Sequence, residues 1–453
     1  MKQKKHTERQ PAEDITITDG FRRAIEAIER GDNVFITGRA GTGKSTLLRH
    51  YCATAKDQPV VLAPTGVAAV NVRGQTIHSF FGFGPNVTTS HLPRVQKRDE
   101  KRYRALKTIV IDEISMVRAD LLDCVDALLR RYGPKGRRPF GGVQMVFIGD
   151  LYQLPPVVTN ESREALAAQY ATPYFFSAGV FNPQQTLLND AMKFSMRLIE
   201  LPDVFRQRDG TFLSILNRIR DNTVTPDDLS ILNARIATYH HKTANTGIIL
   251  TTTNNRSDTI NAEALTYLPG KAHVFRGSLQ GKFSESALPT AQQLSVKRGA
   301  RVMLLTNDRE GRWINGTLGT ITEMSASGDD LLTIALETGE TVVVGRHEWD
   351  MYAYTFDEAS GTLSAESIGS FSQFPIRLAW AVTIHKGQGK TFERVHIDLE
   401  RGTFAPGQLY VALSRATTLE GITLEKPVQR HHAWTDPHVV KFVTQYQFEN
   451  KIS

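Results

Sequence analysis

The stretch NVFITGRAGTGKS, residues 33–45, decides the fold, because an apolar strand runs into a glycine-rich loop that opens a helix. Glycines let the loop backbone wrap closely around phosphates, whose charge the backbone amides and the helix N-terminus receive. The side chain of Lys44 can reach the β- and γ-phosphates, and the hydroxyl of Ser45 can ligate Mg²⁺. The loop therefore predicts a site for ATP and Mg²⁺ formed by Gly38, Ala40, Gly41, Thr42, Gly43, Lys44, Ser45 and Thr46.

Short apolar runs, rich in β-branched residues, alternate with helical stretches on both sides of this loop. An amphipathic helix is predicted over 18–31, and the strand-like runs that follow the loop are VVLA (60–63), TIVI (108–111) and MVFI (145–148). This alternation predicts a parallel sheet with helices on both faces. The same pattern returns at IILTTT (248–253) and VHIDL (395–399), so we expect a second α/β lobe.

Residues 297–370 have a different character, with short strands separated by Gly, Asn and Asp turns and little helical signal. Such a block is typical of a small β-barrel. We therefore predict a first lobe over 1–200, a second lobe over 201–296 and 371–453, and a barrel inserted between the two parts of the second lobe.

Polar residues follow two of the predicted strands of the first lobe. The run TIVI ends in Asp112 and Glu113, at the edge of the sheet where ligands collect in such folds. Asp112 suits the outer shell of Mg²⁺, and Glu113 can orient or deprotonate the attacking water. Gln153, in FIGDLYQLPPV, carries an amide that can donate to a γ-phosphate and accept from water.

Two arginines lie far along the chain, Arg206 in LPDVFRQRDG and Arg415 in YVALSRATTLEG. A guanidinium supplied from a second lobe stabilises charge on the transferring phosphoryl group, and it does so only when the lobes close. Glu113, Gln153, Arg206 and Arg415 are thus candidates for a catalytic set, and the order of the motifs along the chain is what favours the two arginines over ordinary surface residues.

The composition fits a globular protein that works on a polyanion. Of 453 residues, 40% are apolar and 22% are charged, and the net charge is +7. No apolar run is long enough to span a bilayer, and the start MKQKKHTERQ lacks the apolar stretch of a secretory signal. We expect a cytoplasmic, nucleoid-associated protein of bacterial or phage origin, with no membrane partner.

The order of the motifs resembles that of the Pif-type helicases, in the five-prime to three-prime branch of superfamily one beside the RecD-like enzymes. After the phosphate loop come APTGVAAVNVRGQTIHSFFGFG, VIDEIS, PFGGVQMVFIGDLYQLPPV and LPDVFRQRDGTFLSILNRIR, and then AVTIHKGQGKTFERV and YVALSRA. The resemblance runs from about residue 20 to about residue 425. It implies two RecA-like lobes with ATP between them, an SH3-like barrel in the second lobe, and a small wedge near 80–104.

The same resemblance implies that single-stranded DNA crosses the top of the two lobes and that tailed or forked duplex is the substrate. The residues that it assigns to DNA are Pro64, Thr65, Gly66, His78, His385, Lys386 and Gln388. Small hydroxyls, glycine amides and a lysine bind phosphates without reading sequence, and imidazole rings can stack on bases. A monomer is sufficient for this mechanism.

One departure from the family concerns the adenine base. Pif-type helicases usually carry a glutamine upstream of the phosphate loop, and this chain has none between Pro11 and Asp57. Phe21 or Arg22 occupies that place, and neither reproduces the paired donor and acceptor of an amide. We therefore expect weak discrimination between ATP and GTP.

Two other functions remain open from the sequence. One is a single-strand translocase that unwinds poorly, since the predicted wedge is short. The other is a nucleotide-switched DNA-binding protein that hydrolyses ATP slowly, although such a switch does not need Glu113 and two arginines. A fused nuclease finds no support, because no second cluster of metal ligands is evident in the sequence.

Overall fold

The computed structural model describes residues 16–84, 87–181, 194–207, 209–237, 247–283, 285–308, 310–325, 331–357 and 362–452. Within these ranges the chain forms two parallel sheets with helices and a set of antiparallel strands, which confirms the predicted fold class. No helix in the described ranges is long and apolar enough to cross a membrane.

The first parallel sheet has six strands in the order β3-β2-β4-β5-β1-β6. These strands are β1 (Val34–Gly38), β2 (Val60–Ala63), β3 (Gln75–Thr76), β4 (Thr108–Ile111), β5 (Gln144–Ile148) and β6 (Arg197–Leu201). The helices of this lobe are α1 (Asp19–Glu29), α2 (Lys44–Thr54), α3 (Gly66–Asn71), α4 (Ile77–Phe81), α5 (Lys97–Arg104), α6 (Ala119–Tyr132) and α7 (Asn160–Gln169).

Helix α1 shows how local sequence sets these elements. The hydroxyl of Thr18 accepts a hydrogen bond from the amide of Phe21 and caps the helix N-terminus. Phe21 and Ile28 face the core, and Gly31 follows the helix with φ of 87°, a conformation that favours glycine. The amphipathic helix predicted over 18–31 is thus present at Asp19–Glu29.

The second parallel sheet has four strands in the order β18-β7-β19-β20. They are β7 (Ile248–Thr251), β18 (Ala381–Thr383), β19 (Val395–Asp398) and β20 (Ile422–Leu424). The helices in this part of the chain are α8 (Gly210–Arg220), α9 (Pro226–Asn233), α10 (Asn254–Tyr267), α11 (Ile384–Gly387), α12 (Gln408–Leu413) and α13 (Pro437–Ile452).

The antiparallel strands lie between β7 and β18 in the chain. They are β8 (His273–Arg276), β9 (Ser278–Gly281), β10 (Gln293–Val296), β11 (Arg301–Leu304), β12 (Leu318–Met324), β13 (Leu332–Leu336), β14 (Thr341–Val344), β15 (His347–Asp357), β16 (Thr362–Gln373) and β17 (Ile376–Leu378). Five of them form the sheet β14-β13-β12-β11-β17, and the long hairpin β15–β16 pairs with β9. The remaining strands, β8 and β10, pair with each other.

The long hairpin reaches the first lobe. Strand β15 packs against α3, α4 and α5, and the turn Glu285–Ala287 lies against the start of α3. Helix α5 and the segment before it are the predicted wedge, 80–104, of which residues 85 and 86 fall outside the described ranges. The rings of Phe80, Phe81 and Tyr103 pack on one another inside the first-lobe core, so these phenylalanines fill the core.

The two lobes share packing at the place where they meet. Ala40 of the phosphate loop and Leu154, just after β5, belong to the same buried cluster as residues of α8, α12 and β7. The loops that follow β1 and β5 are therefore seated against the second lobe, and the cleft between the lobes is lined by the ends of parallel strands.

The predicted domain boundaries stay a prediction, and the structure adds two facts about them. The antiparallel strands begin at His273 and end at Leu378, outside the predicted 297–370 on both sides. Helix α13, within the predicted second lobe, packs on the first-lobe core through Val439 and Val443.

We expect Phe442→Ala in α13 to loosen the attachment of this helix to the first lobe. The Phe442 ring stacks on Phe176 with centroids 4.3 Å apart and also contacts Phe175. Because the ring is partly buried, its loss should cost about 2–4 kcal/mol of unfolding free energy, measured by urea denaturation. Val440→Ala is the matched control, since Val440 is on the same helix and 39% exposed. Equal stability of the two variants would contradict the packing described.

Candidate functional site

The phosphate loop follows β1 and has the backbone that phosphate binding requires. Gly41 and Gly43 have φ of 85° and 80°, in the region that favours glycine. An ideal Cβ on Gly41 would lie 2.5 Å from Cβ of Arg206, and one on Gly43 would lie 2.9 Å from the Phe21 ring. Helix α2 starts directly after Gly43 without a side-chain cap, so the amides of its first turn are free of a capping side chain. This cradle fits a phosphate group.

Lys44 is folded back onto the loop in this structure. Its Nζ donates to the carbonyl oxygens of Gly38 at 2.8 Å and Arg39 at 3.0 Å. Burial lowers the pKa of Lys44, and the carboxylates of Asp150 and Glu113 oppose that shift. The ammonium group therefore belongs to the same electrostatic cluster as these two acids.

Ser45 and Asp112 are the predicted Mg²⁺ residues. Ser45 is exposed at the first turn of α2, and Asp112 is buried at the end of β4, where its Oδ1 accepts from the amide of Glu113 at 3.0 Å. Burial raises the pKa of Asp112. A hydroxyl and a carboxylate are oxygen ligands of the kind that Mg²⁺ prefers, so the donor set fits this ion.

Glu113 lies beside Asp112 and contacts the second lobe. Burial, followed by the neighbouring Asp112 carboxyl, raises the pKa of Glu113. Its Oε2 accepts a hydrogen bond of 3.2 Å from Nε2 of Gln388. The same Gln388 nitrogen lies 3.2 Å from Oε1 of Gln153. The predicted DNA residue Gln388 thus faces two predicted catalytic residues, and its assignment to DNA stays a prediction.

Both predicted arginines lie at this junction. Arg206 donates to the carbonyls of Ser414 at 3.2 Å and Gly389 at 3.3 Å. Arg415 is only 1% exposed and donates to the carbonyl of Lys390 at 3.1 Å and to the Ser414 hydroxyl at 2.8 Å. Burial lowers the pKa of Arg206 to about 10 and that of Arg415 to about 9, so both remain cationic at neutral pH.

The other residues predicted to contact DNA lie just after strands β2, β3 and β18 in the chain. Pro64, Thr65 and Gly66 come after β2, and the Thr65 hydroxyl caps α3 by accepting from the amide of Ala68. Gly66 lies against Ala287, since a Cβ at position 66 would lie 2.4 Å from the Ala287 Cβ. This contact places the turn Glu285–Ala287 directly over the start of α3.

The histidines and the lysine predicted to contact DNA lie in α4 and α11. Burial lowers the pKa of His78 in α4 and of His385 in α11, so both imidazoles favour the neutral form. Lys386 is exposed as a whole residue. Partial desolvation of its ammonium group, followed by the positive charge of the nearby Arg377, lowers its pKa. A neutral imidazole loses little solvation when it stacks on a base, which suits the predicted role.

Sequence reasoning missed three side chains of the cleft. Asp150 follows β5 as Asp112 follows β4, and its Oδ2 accepts from Nε2 of Gln153 at 3.0 Å. Arg220 lies 3.8 Å from the Asp150 carboxylate, with its guanidinium over the Tyr152 ring. The hydroxyl of Tyr410 in α12 accepts from the amide of Ala40 at 3.0 Å. The position of Asp150 at the end of a strand was the available signal, whereas Arg220 and Tyr410 reach the cleft only through the packing of the lobes.

Phe21 and Arg22, one of which occupies the place of the missing glutamine, have different surroundings in the structure. Phe21 is 2% exposed and packs beneath Gly43, while Arg22 is on the surface with its guanidinium paired to Asp19. Phe205, which precedes Arg206, is 53% exposed beside Gly43 and is joined to the loop by its amide, which donates to the Gly41 carbonyl at 3.0 Å. An exposed aromatic ring, that of Phe205, therefore lies beside the phosphate loop.

Comparison with known proteins gives the family of this chain. The model of the family described as PIF1-like helicase matches residues 16–228. The ATP-dependent DNA helicase Pif1 of Bdellovibrio bacteriovorus is 31% identical over 449 residues, covering 96% of this chain and 94% of the relative. The chain belongs to the PIF1-like helicase family. It is also 34% identical to human ATP-dependent DNA helicase PIF1, of which it spans 59%.

Solved structures of a Pif1 from Bacteroides sp. match over 96% of this chain and 98% of theirs, at 36% identity. The complex with ADP-AlF4 gives a TM-score of 0.87, and the complex with single-stranded DNA gives 0.68. An unliganded form of the same Bacteroides protein gives 0.85. The structure of this chain is thus more similar to the ADP-AlF4 complex and the unliganded form than to the complex with single-stranded DNA.

We expect the pH profile of ATP hydrolysis to report the shifted carboxyl of Glu113. A general base acts as the carboxylate, and a raised pKa means that this form is lost at a higher pH than for an ordinary glutamate. The acid limb of kcat/KM should therefore lie well above about 4.3, with activity rising as pH increases through the limb. Steady-state ATPase assays with single-stranded DNA would measure it, with circular dichroism at each pH as the control for folding. A rate that stays constant down to about pH 5 would contradict this role.

Proposed function

We propose that this ATP-dependent DNA helicase moves five-prime to three-prime along a single strand and separates the duplex ahead of it. ATP is hydrolysed in the cleft between the two parallel-sheet lobes. The single observation that carries the proposal is the convergence of Lys44 and Glu113 from the first lobe with Arg206 and Arg415 at one lobe junction.

The cleft has separate groups for each part of hydrolysis. The glycine-rich cradle and Lys44 would hold the phosphates, while Ser45 and Asp112 would hold Mg²⁺, which would neutralise phosphate charge when bound. Glu113 would orient the attacking water or remove its proton, and Gln153 would donate to the γ-phosphate and accept from the water. Arg206 and Arg415 would stabilise the charge of the transferring phosphoryl group once they turn away from their carbonyl partners.

The coupling to DNA follows from the positions of the predicted DNA residues. Pro64, Thr65 and Gly66 follow a strand of one lobe, and His385 and Lys386 follow a strand of the other. Opening and closing of the cleft therefore changes the distance between two grips on one strand, which is how two-lobed motors step. Both grips and the cleft are in one chain, so a monomer suffices, and bacterial relatives favour a cytoplasmic site of action on the nucleoid.

We expect unwinding of duplex with a five-prime single-stranded tail and little unwinding with a three-prime tail. The measurement is strand separation of the two substrates, with ATP hydrolysis followed in parallel. Lys44→Ala should remove both activities while leaving binding of single-stranded DNA, because the hydrogen bonds of the lysine are to the phosphate loop and lie away from the predicted DNA residues. Preference for the three-prime tail would overturn the polarity, and hydrolysis without unwinding of either substrate would favour the translocase.

We also expect this protein to use GTP at a rate within about tenfold of ATP. Discrimination between bases of similar shape needs placed hydrogen-bonding groups. The sequence carries no glutamine between Pro11 and Asp57, and the exposed ring of Phe205 beside Gly43 would stack on either purine. Phe205→Ala should raise KM for both nucleotides by a similar factor, and Arg22→Ala, a surface change, should alter neither. A preference for ATP above about a hundredfold in steady-state kinetics would contradict this account.

A further inference from the structure

Gln388 connects the two parts of the site that a motor must coordinate. It lies in the turn that follows α11, two residues after Lys386, and its side-chain nitrogen donates to both Glu113 and Gln153 at 3.2 Å. One amide of the second lobe thus contacts two groups of the first lobe that are placed to act on the attacking water.

These contacts occupy the functional atoms of Gln153. Its Oε1 accepts from Gln388, and its Nε2 donates to the Asp150 carboxylate at 3.0 Å. An amide oxygen has two lone pairs and an amide nitrogen has two hydrogens, so each atom of Gln153 keeps one free position, but its present partner fixes where that position points. In the arrangement described here, the orientation of the Gln153 amide is therefore set by protein partners on both of its atoms.

The same turn also engages both arginines. The carbonyl of Gly389 accepts from Arg206, and the carbonyl of Lys390 accepts from Arg415. Three consecutive residues, Gln388, Gly389 and Lys390, therefore contact all four residues of the predicted catalytic set. We call these three residues the coupling turn.

The coupling turn is rigidly joined to the residues predicted to contact DNA. The Thr383 hydroxyl caps α11 by accepting from the amide of Lys386. The amide of Gln388 donates to the carbonyl of His385 at 3.2 Å, and the amide of Lys390 donates to that of Gly387 at 3.1 Å. A shift of His385 and Lys386 on a DNA strand would carry the coupling turn with it.

We propose that Gln388 is a positioning residue that holds Glu113 and Gln153 in a resting arrangement until DNA moves α11. The inference rests on the proposed roles of those two residues in hydrolysis. It assigns Gln388 to the control of hydrolysis by single-stranded DNA, in place of a direct grip on the strand.

The test is the ATPase rate of Gln388→Ala and Gln388→Leu with and without a saturating single-stranded oligonucleotide. Removing one or two hydrogen bonds from the resting arrangement should raise the DNA-free rate about three- to tenfold. The rate at saturating DNA should stay within about twofold of the parent, because the contact is already released there. The ratio of the two rates, the DNA stimulation, should therefore fall in both variants. Leucine fills a volume close to that of glutamine, so agreement of the two variants excludes a cavity effect.

Two results would overturn the proposal. If only the Kd for the oligonucleotide rises and the DNA-free rate is unchanged, Gln388 is a DNA contact. If both rates fall by the same factor, Gln388 assists the chemical step. Gln169→Ala, at the exposed end of α7, is the matched control and should leave the rates and the DNA affinity unchanged. A melting curve of each variant establishes that it is folded.

Failure of the underlying roles can be told apart from failure of this proposal. Glu113→Gln is assayed beside the Gln388 variants, and it should remove hydrolysis with and without DNA. If Glu113→Gln retains hydrolysis, the proposed function of Glu113 fails whatever Gln388 does. If it removes hydrolysis while the Gln388 variants keep normal DNA stimulation, only the coupling proposal fails.

Discussion

The close approach of Gly41 to Arg206 is the contact on which the arrangement of the cleft depends. A Cβ at position 41 would lie 2.5 Å from the Arg206 Cβ, and the amide of Phe205 donates to the Gly41 carbonyl. The absence of a side chain thus lets the segment after β6 lie directly on the phosphate loop. Because that segment carries Arg206 toward the carbonyls of Ser414 and Gly389, one glycine sets both the phosphate cradle and the path to the second lobe.

Burial shifts the pKa values of the charged side chains in this cleft. Taking Lys44 and Arg415 out of water lowers their pKa values, and taking Glu113 out of water raises its pKa. Each charged form is therefore less stable alone than it would be on the surface, and the neighbouring opposite charges offset part of that cost. A highly charged phosphate chain entering such a cleft meets cations whose hydrogen bonds are to neutral carbonyl and hydroxyl oxygens, which favours its binding and favours closure of the lobes around it.

The hairpin β15–β16 and helix α13 both pack against the first lobe. Strand β15 packs on α5, within the predicted wedge, and α13 returns from the second sheet to the core beneath β6. Within the part of the chain that the structure describes, the cleft, the hairpin, the turn Glu285–Ala287 and the terminal helix all connect to the first lobe. A change at one connection must be accommodated by the others, since packed elements move as units rather than bending continuously.

Much of this protein was determined by the sequence alone, because the relevant signals are local. The strands around 34–38, 60–63, 108–111 and 144–148 follow from short β-branched runs, and the phosphate loop follows from glycine spacing beside a strand. The family resemblance followed from the order of these motifs along the chain. The positions of Asp112 and Glu113 at a sheet edge also needed only the rule that parallel strands end together.

The tertiary structure decided which of these residues meet. Gln388 is 275 residues from Glu113 and 235 from Gln153, and no local pattern records their contact. Tyr410 reaches Ala40 across 370 residues for the same reason, and the burial of Phe21 beneath Gly43 is likewise a product of packing. Contacts between lobes depend on how whole sheets pack. That packing results from all the core residues together and not from any local motif. The sequence therefore predicts the individual motifs of the helicase, and only the folded cleft shows which of their residues are in contact.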